Sequence, residues 1–170
     1  MVINGRPGLA CAVRLEDLKG KIRLEPLRKF PVVRDLIADR SIMRENLKAL
    51  RIWLEEEAIN GDFNTEYQAA RCLQCGCCLE VCPNFYPGGD FAGMAGAMPL
   101  TRILSQGDSP EARDLYRKHV YDGCGKSLAC RDICPAKIDI DGMLARSNAV
   151  AVWNRGHKRS QRRQKWKKKK

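Results

Sequence analysis

The pattern of apolar and polar positions divides the chain into an extended first part and a helical remainder. Charged and apolar side chains alternate over residues 21–25, as they do in a half-buried strand, and a turn signal at residues 4–5 follows an apolar pair. Over residues 33–59 the apolar positions recur largely at steps of three and four, which is typical of an amphipathic helix. The pattern therefore predicts short strands before residue 33 and helices after it.

Capping residues and chain breakers predict four further helices. The signals are Thr65 with Gln68 for a short helix that leads to Cys72, Asp90 for residues 91–105, Ser109-Pro110 for residues 110–120, and Asp139 for residues 140–153. Pro99 lies inside the second of these helices, and we expect it to kink or split that helix because proline removes a backbone donor. The fold class predicted for this part of the chain is mostly α.

A run of cysteines in the middle of the chain carries the chemistry. It has the spacing C-x2-C-x2-C-x3-C-P, which binds iron–sulfur clusters in bacterial ferredoxins, and it consists of Cys72, Cys75, Cys78, Cys82 and Pro83. In such a run the first three thiolates hold one cluster, and the fourth binds a second cluster. The run therefore predicts that further cysteine ligands exist elsewhere in the chain.

A second, incomplete copy of the run follows 52 residues later. Its members are Cys124, Cys130, Cys134 and Pro135, and the position that should repeat Cys75 is Ser127. Exchange of the fourth ligand predicts a [4Fe–4S] cluster on Cys72, Cys75, Cys78 and Cys134. It leaves three thiolates, Cys82, Cys124 and Cys130, which suit a [3Fe–4S] cluster. Because the two runs are in complete register, we expect Ser127 to face the open corner of that cluster, and a serine oxygen is a poor iron ligand.

Other uses of the cysteines stay open at this point. Structural zinc sites need only cysteine pairs, so a zinc protein is an alternative, although the four-membered run and its copy favour iron–sulfur clusters. Cys77 is out of register, and we interpret it as a small buried residue. The first residues show no hydrophobic signal-peptide region, which favours reduced, metal-binding cysteines over disulfides.

The net charge of +11 comes almost entirely from one end of the chain. Residues 155–170 contain ten basic side chains and no acidic one, so the rest of the chain is close to neutral. We predict a disordered basic tail, with attraction to anionic lipid head groups as the sharper alternative. Nucleic acid is not expected as a partner, because no aromatic-rich face accompanies the charges.

Four stretches together resemble the iron–sulfur subunit of succinate dehydrogenase and fumarate reductase. They are Asn4–Cys11, Pro26–Leu36, the Cys72–Pro83 run and the C-x5-C-x3-C-P motif from Cys124 to Pro135. The resemblance, which extends to about residue 153, implies an α-helical ferredoxin domain (33–154) preceded by the C-terminal remnant of a β-grasp [2Fe–2S] domain (1–32) and followed by the tail (155–170).

The resemblance also implies a function. The subunit would pass electrons between an FAD-containing flavoprotein, where succinate and fumarate interconvert, and a quinone at membrane-anchor subunits. It would lie at the cytoplasmic face of the cell membrane, held there by its partners. We expect no substrate-converting site in this chain alone, because it shows neither a nucleophile–base pair nor a nucleotide-binding glycine loop.

Two departures from the family pattern qualify this expectation. Cys11 matches the distant fourth ligand of the family's [2Fe–2S] cluster, but the C-x4-C-x2-C motif for the other three is absent, so that cluster is expected only if a missing segment is supplied. Pro87 and Gly125 stand where many members have a tryptophan and a histidine near the quinone, so the quinone pocket is expected to be built differently or lost.

Two alternative interpretations of the chain remain open. One is a ferredoxin-like electron-carrier subunit of a different oxidoreductase, of the heterodisulfide-reductase type. Such subunits usually carry two complete four-cysteine runs, and Ser127 argues against this interpretation. The other alternative is a truncated, non-functional gene product.

Overall fold

The computed structural model describes residues 1–51, 61–107 and 109–153. The described part is about half helical, with two small antiparallel sheets. The first sheet has the order β2-β1-β3, and the second pairs β4 with β5. The strands are β1 (Val2–Ile3), β2 (Arg6–Pro7), β3 (Leu24–Glu25), β4 (Val32–Arg34) and β5 (Ile37–Ala38).

The turn predicted at residues 4–5 joins β1 to β2. Asn4 and Gly5 both have positive φ, 48° and 82°, as the tight turn of a two-residue hairpin requires. The second neighbour of β1 is β3, with Val2 opposite Glu25. The predicted strand over residues 21–25 is confirmed only for its last two residues, Leu24–Glu25.

The helix expected from residue 33 begins at Ser41 instead. Residues 32–38 form a hairpin whose turn contains Asp35 at φ 50°, a left-handed conformation that does not occur in the interior of an α-helix. The Asp39 carboxylate accepts a hydrogen bond from the Ser41 amide at 2.8 Å and so stabilises the true start of the helix. Residues 52–60, which the same expectation covered, lie outside the described residues, as does the basic tail predicted for 155–170.

Seven α-helices are described in the remainder of the structure: α1 (Ser41–Ala49), α2 (Phe63–Ala70), α3 (Cys77–Glu80), α4 (Gly93–Gln106), α5 (Pro110–Tyr116), α6 (Ala129–Ile133) and α7 (Ile140–Asn148). A π-helical turn extends α5 over Arg117–Tyr121, and another extends α7 over Ala149–Trp153. Among the described residues, no helix is both long enough and apolar enough to cross a bilayer.

Two of the predicted caps are confirmed. The Ser109 hydroxyl accepts the Ala112 amide, and the Asp139 carboxylate accepts the Gly142 amide, each at 3.2 Å. Such bonds satisfy amide donors that the first turn of a helix leaves free.

Two other caps were predicted at the wrong residue. The cap of α2 is Asp62, whose carboxylate accepts the Thr65 amide, so Thr65 is already inside the helix. Helix α4 begins at Gly93 rather than after Asp90, because His119 holds the preceding backbone: its ring nitrogen contacts the Asp90 carbonyl, and its carbonyl accepts the Ala92 amide. The helix also continues through Pro99, so the helix is not split there.

Helix α4 lies at the centre of the main apolar core. It packs against α1, α2, α3, α5 and α7. The largest fully buried side chains of this core are Leu50, Met98, Leu100, Tyr116, Ile140 and Met143. Buried polar groups connect the same helices: the hydroxyls of Thr101 and Ser147 lie 2.9 Å apart, and the Tyr116 hydroxyl donates to Asn148 Oδ1 at 3.0 Å.

A second apolar cluster joins the first strands to the cysteine loops. It contains Val2, Leu27 and Phe30 from the N-terminal part, together with Leu79 and Phe85. Polar contacts reinforce this junction. The Glu80 carboxylate accepts the amides of Arg28 and Lys29 at 2.9 and 3.1 Å. The Lys29 ammonium donates to the carbonyls of Cys82 and Phe85. The N-terminal residues therefore hold the end of α3 in place.

Candidate functional site

Four of the predicted ligands surround one cavity. It has a volume of about 430 Å³, counting space that opens to solvent, and its wall includes Cys72, Cys75, Cys78 and Cys134. The first three thiols come from the loop before α3 and from its first turn, and the fourth follows α6. Apolar side chains of α4 and α7, among them Met98 and Ile140, complete the wall.

The other three predicted ligands line a second cavity. This cavity, of about 470 Å³, contains Cys82, Cys124 and Cys130 in its wall, together with Ser127. Cys82 belongs to the first run but faces the second cavity, whereas Cys134 belongs to the second run but lines the first. The structure thus brings the seven cysteines together in two groups that exchange one member each.

The two cysteine loops share a backbone path as well as a spacing. Gln74 and Lys126, which are 52 residues apart, both have positive φ, at 49° and 56°. Gly76 and Leu128, separated by the same step, have φ of 83° and 57°, and each precedes a short helix. Ser127 therefore holds the place in the second loop that Cys75 holds in the first.

The donor set fits the cofactors that these groups suggest. Thiolates are the ligands that iron–sulfur clusters prefer, and four of them around a partly open, largely apolar cavity suit a cubane. The thiols of Cys82, Cys124 and Cys130 and the hydroxyl of Ser127 form the corresponding set in the second cavity, whose wall Cys78 also borders. Within residues 1–51, 61–107 and 109–153, no three His, Cys, Asp or Glu side chains are arranged around a single metal ion.

Burial makes three of these thiols, Cys72, Cys78 and Cys130, hard to ionise without a cation. Burial raises the pKa of Cys72 and of Cys78, and it raises the pKa of Cys130 to about 11. A bound metal reverses this effect, because it stabilises the thiolate directly. Cluster assembly and thiol deprotonation are therefore coupled in these cavities.

Cys75 differs from these three thiols. A hydrogen bond from the Cys77 thiol, assisted by backbone amides and by the charge of Arg40, lowers the pKa of Cys75 to about 6. The same bond raises the pKa of Cys77, which stays protonated as the donor. Cys77 is only 1% exposed and lines neither cavity, so the structure places it as a buried neighbour of a ligand.

Sequence reasoning missed two polar side chains at the first cavity. Arg40 donates to the carbonyls of Gln74 and Cys75, at 3.5 and 3.3 Å. The Gln74 amide nitrogen donates to Ala95 O at 2.9 Å and to Cys72 Sγ at 3.5 Å. Only the glutamine lies within the cysteine motif, and nothing in the motif requires that residue type, so no sequence signal could have identified either contact.

Cys11 does not join the other cysteines. It is exposed in the short 3₁₀ turn Ala10–Ala12 and lines neither cavity. A [2Fe–2S] cluster needs four protein ligands. With seven cysteines around the two cavities and Cys77 buried, the residues of this chain do not fit such a cluster by themselves.

The two positions that depart from the family's quinone motif have different surroundings. Pro87 is exposed in the loop after α3, and Gly125 lines the second cavity, where an added Cβ would lie 3.2 Å from the side chain of Asn84. A wider cavity of about 700 Å³ borders Cys124, and its wall includes Tyr121 and Trp153.

Comparisons with known protein families agree with this arrangement. Residues 1–45 match the family model of a 2Fe-2S iron-sulfur cluster binding domain, which extends beyond the boundary predicted at residue 32. Residues 68–138 match the model of a 4Fe-4S dicluster domain, which covers both cysteine loops.

Individual relatives point the same way. The chain is 32% identical over 167 residues to the succinate dehydrogenase iron-sulfur subunit of Bacillus subtilis (strain 168), a match that covers 87% of this chain and 64% of the relative. It is 31% identical to the fumarate reductase iron-sulfur subunit of Mycobacterium tuberculosis (strain CDC 1551 / Oshkosh), covering 89% of this chain and 68% of the relative. The chain thus spans about two thirds of the length of these relatives.

A solved structure, described as the Mycobacterium smegmatis Sdh1 complex in the apo form, contains a chain of the same fold. The TM-score is 0.71 at 24% sequence identity, and the match covers 88% of this chain and 70% of that one. The motifs, the paired cavities and the identity to these relatives confirm the resemblance seen in the sequence. This chain therefore belongs to the family of succinate dehydrogenase and fumarate reductase iron–sulfur subunits.

Proposed function

We propose that this chain relays electrons between a flavoprotein that interconverts succinate and fumarate and a quinone in the membrane. The observation that carries the proposal is the pair of adjacent cavities lined by seven cysteines, with one cysteine of each run in the cavity of the other. Two metal clusters held side by side suit the transfer of single electrons. Family membership supports the same role.

The proposed ligands follow the two groups of thiols. A [4Fe–4S] cluster is assigned to Cys72, Cys75, Cys78 and Cys134, and a [3Fe–4S] cluster to Cys82, Cys124 and Cys130. When bound, these clusters accept and release one electron at a time. The chain's own contribution is to orient the thiolates, to limit the access of water with apolar walls, and to place the positive charge of Arg40 near Cys75.

The wall between the two cavities supports electron transfer from one to the other. Cys78 and Met94 line both cavities, so a single layer of side chains separates them. Leu144 of α7 and Val120 close the far side of the second cavity. Buried, apolar surroundings of this kind help to set the reduction potentials of the clusters.

The partners and location follow from the family and belong to this proposal. We infer an FAD-containing flavoprotein and quinone-binding membrane-anchor subunits as partners, with the chain held at the cytoplasmic face of the membrane through them. The division into residues 1–32, 33–154 and a basic tail at 155–170 is part of the same proposal. A [2Fe–2S] cluster at Cys11 would require three cysteines that are not among these 170 residues.

Replacement of Ser127 by cysteine tests the cluster assignment. Ser127 lines the second cavity in the register of Cys75, so Ser127→Cys supplies the fourth thiolate and should convert [3Fe–4S] to [4Fe–4S]. The electron paramagnetic resonance (EPR) signal of the oxidised [3Fe–4S] cluster should be present in the wild type and lost in the variant. Iron content should rise from about seven to about eight atoms per chain.

A matched control is Ser105→Cys. Ser105 lies on α4 outside both cavities, and its hydroxyl donates to the Arg102 carbonyl. This variant adds a thiol without adding a ligand, so it should keep the wild-type spectrum. Persistence of the [3Fe–4S] signal in reconstituted Ser127→Cys protein would overturn the assignment. A wild type without either cluster signal would overturn the relay function itself.

A further inference from the structure

The side-chain amide of Gln74 is built into the wall of the first cavity. Its nitrogen donates to the carbonyl of Ala95 on α4 at 2.9 Å, and to Cys72 Sγ at 3.5 Å. The amide thus spans the space between α4 and a proposed cluster ligand. Neither the fold nor the ligand spacing requires a glutamine at this position.

The chemistry of its neighbours determines which end of the amide faces them. A carbonyl oxygen and a thiolate sulfur are both acceptors, and an NH₂ group offers two donors. The opposite orientation would set the amide oxygen against two acceptors. In the observed orientation Gln74 Oε1 is buried and has no hydrogen-bond partner in the described part of the chain, which is unfavourable. The contacts of the nitrogen must compensate for that burial.

The backbone of Gln74 is fixed, like its side chain. Gln74 has a φ of 49°, a left-handed conformation that non-glycine residues seldom adopt, and Arg40 donates to its carbonyl. Its counterpart in the second loop, Lys126, has the same backbone conformation, but its ammonium lies over the Tyr121 ring, 5.3 Å from the centroid. A side-chain amide donor is therefore present at the first cavity and replaced by lysine at the second.

We propose that Gln74 raises the reduction potential of the [4Fe–4S] cluster by donating a hydrogen bond to the Cys72 thiolate. This inference rests on the proposed function. A donor to a ligand sulfur withdraws negative charge from the cluster and stabilises the reduced form, which carries one electron more, over the oxidised form. Gln74 acts through Cys72 and is therefore a positioning residue. Its effect is limited to the potential of the [4Fe–4S] cluster.

The test is an EPR-monitored redox titration of the complete chain with both clusters assembled. Gln74→Leu and Gln74→Met remove the donor and keep a side chain of similar size, so both should lower the midpoint potential of the [4Fe–4S] cluster. The potential of the [3Fe–4S] cluster in the same samples should not change. Gln106→Leu is the matched control, since Gln106 also has a buried, unpaired Oε1 but lies outside both cavities.

A second measurement uses the wild-type side chain. Pulsed EPR of the reduced protein with ¹⁵N in the glutamine side chains should detect a nitrogen coupling to the [4Fe–4S] cluster, and Gln106→Leu should retain it. If the coupling is absent in the wild type, or if the Gln74 variants keep the wild-type potential, the inference is overturned while the relay function stands. A wild type that assembles no [4Fe–4S] cluster overturns both.

Discussion

Gly93, at the start of α4, provides a sharp test of the packing beside the second cavity. Its φ is 62°, and a Cβ added there would lie 2.4 Å from Leu79 Cδ2, far inside van der Waals contact. Leu79 is fully buried in the apolar cluster at the junction with the N-terminal strands, so any shift of its side chain must displace buried neighbours. We predict that Gly93→Ala strongly destabilises the protein.

The magnitude has two parts. A left-handed conformation costs alanine about 1–2 kcal/mol, and overpacking of a buried site costs about 1–3 kcal/mol, which together amount to about 2–5 kcal/mol. Gly88→Ala isolates the first part, because Gly88 has a φ of 86° and nothing lies within 4 Å of its added Cβ. The free energy of unfolding of the two variants should therefore differ by about 1–3 kcal/mol.

Thermal unfolding followed by far-ultraviolet circular dichroism measures this difference at equal iron content. For a chain of this size each kcal/mol lowers the melting temperature by about 2–4 °C, so Gly93→Ala should melt roughly 2–12 °C below Gly88→Ala. In a double-mutant cycle, Leu79→Ala should cost less in the Gly93→Ala background than in the wild type, because it removes the overlap. Equal melting temperatures for the two glycine variants would refute the packing argument.

Two further predictions concern the core and the cofactors. Tyr116→Phe removes the donor to Asn148 Oδ1 and leaves a buried acceptor unpaired, so urea denaturation should show a free energy of unfolding lower by about 1–3 kcal/mol. Tyr67→Phe, at an exposed position, is the control and should change the free energy of unfolding by less than about 0.5 kcal/mol. Equal losses in the two variants would contradict this account. Removal of iron by a chelator should lower both the helical circular dichroism signal and the melting temperature, since the loops at residues 72–89 and 121–138 are rich in Gly, Pro and Cys and need cluster bonds for stability. Unchanged helix content after complete iron loss would show that the fold stands without its clusters.

Local signals in the sequence predicted local features well. The turn at Asn4-Gly5 and the caps at Ser109 and Asp139 depend on side chains within three residues of the backbone they affect, and all were found as expected. The cysteine spacing is local in the same sense. The step of 52 residues between the two runs, visible in the sequence, reappears as matched backbone conformations in the two loops.

Predictions failed where a distant residue decides the local structure. The start of α4 was assigned to Asp90, but His119, from the turn after α5, determines where that helix begins. The helix expected from residue 33 was suggested by leucine spacing, yet residues 32–38 pair as a hairpin and the apolar side chains of Val33 and Ile37 remain exposed. Periodicity alone does not distinguish short helical from extended segments when tertiary contacts compete.

The sequence by itself determined the chemistry of this protein, because the type, number and spacing of its cysteines limit the clusters that they can hold. Only the tertiary structure decided which other side chains reach those cysteines. Gln74 meets both Cys72 and α4, and Lys29 meets the carbonyls of Cys82 and Phe85 from more than fifty residues away. Such contacts depend on how separate elements pack against each other, and a pattern that extends over a few neighbouring residues contains no record of that packing.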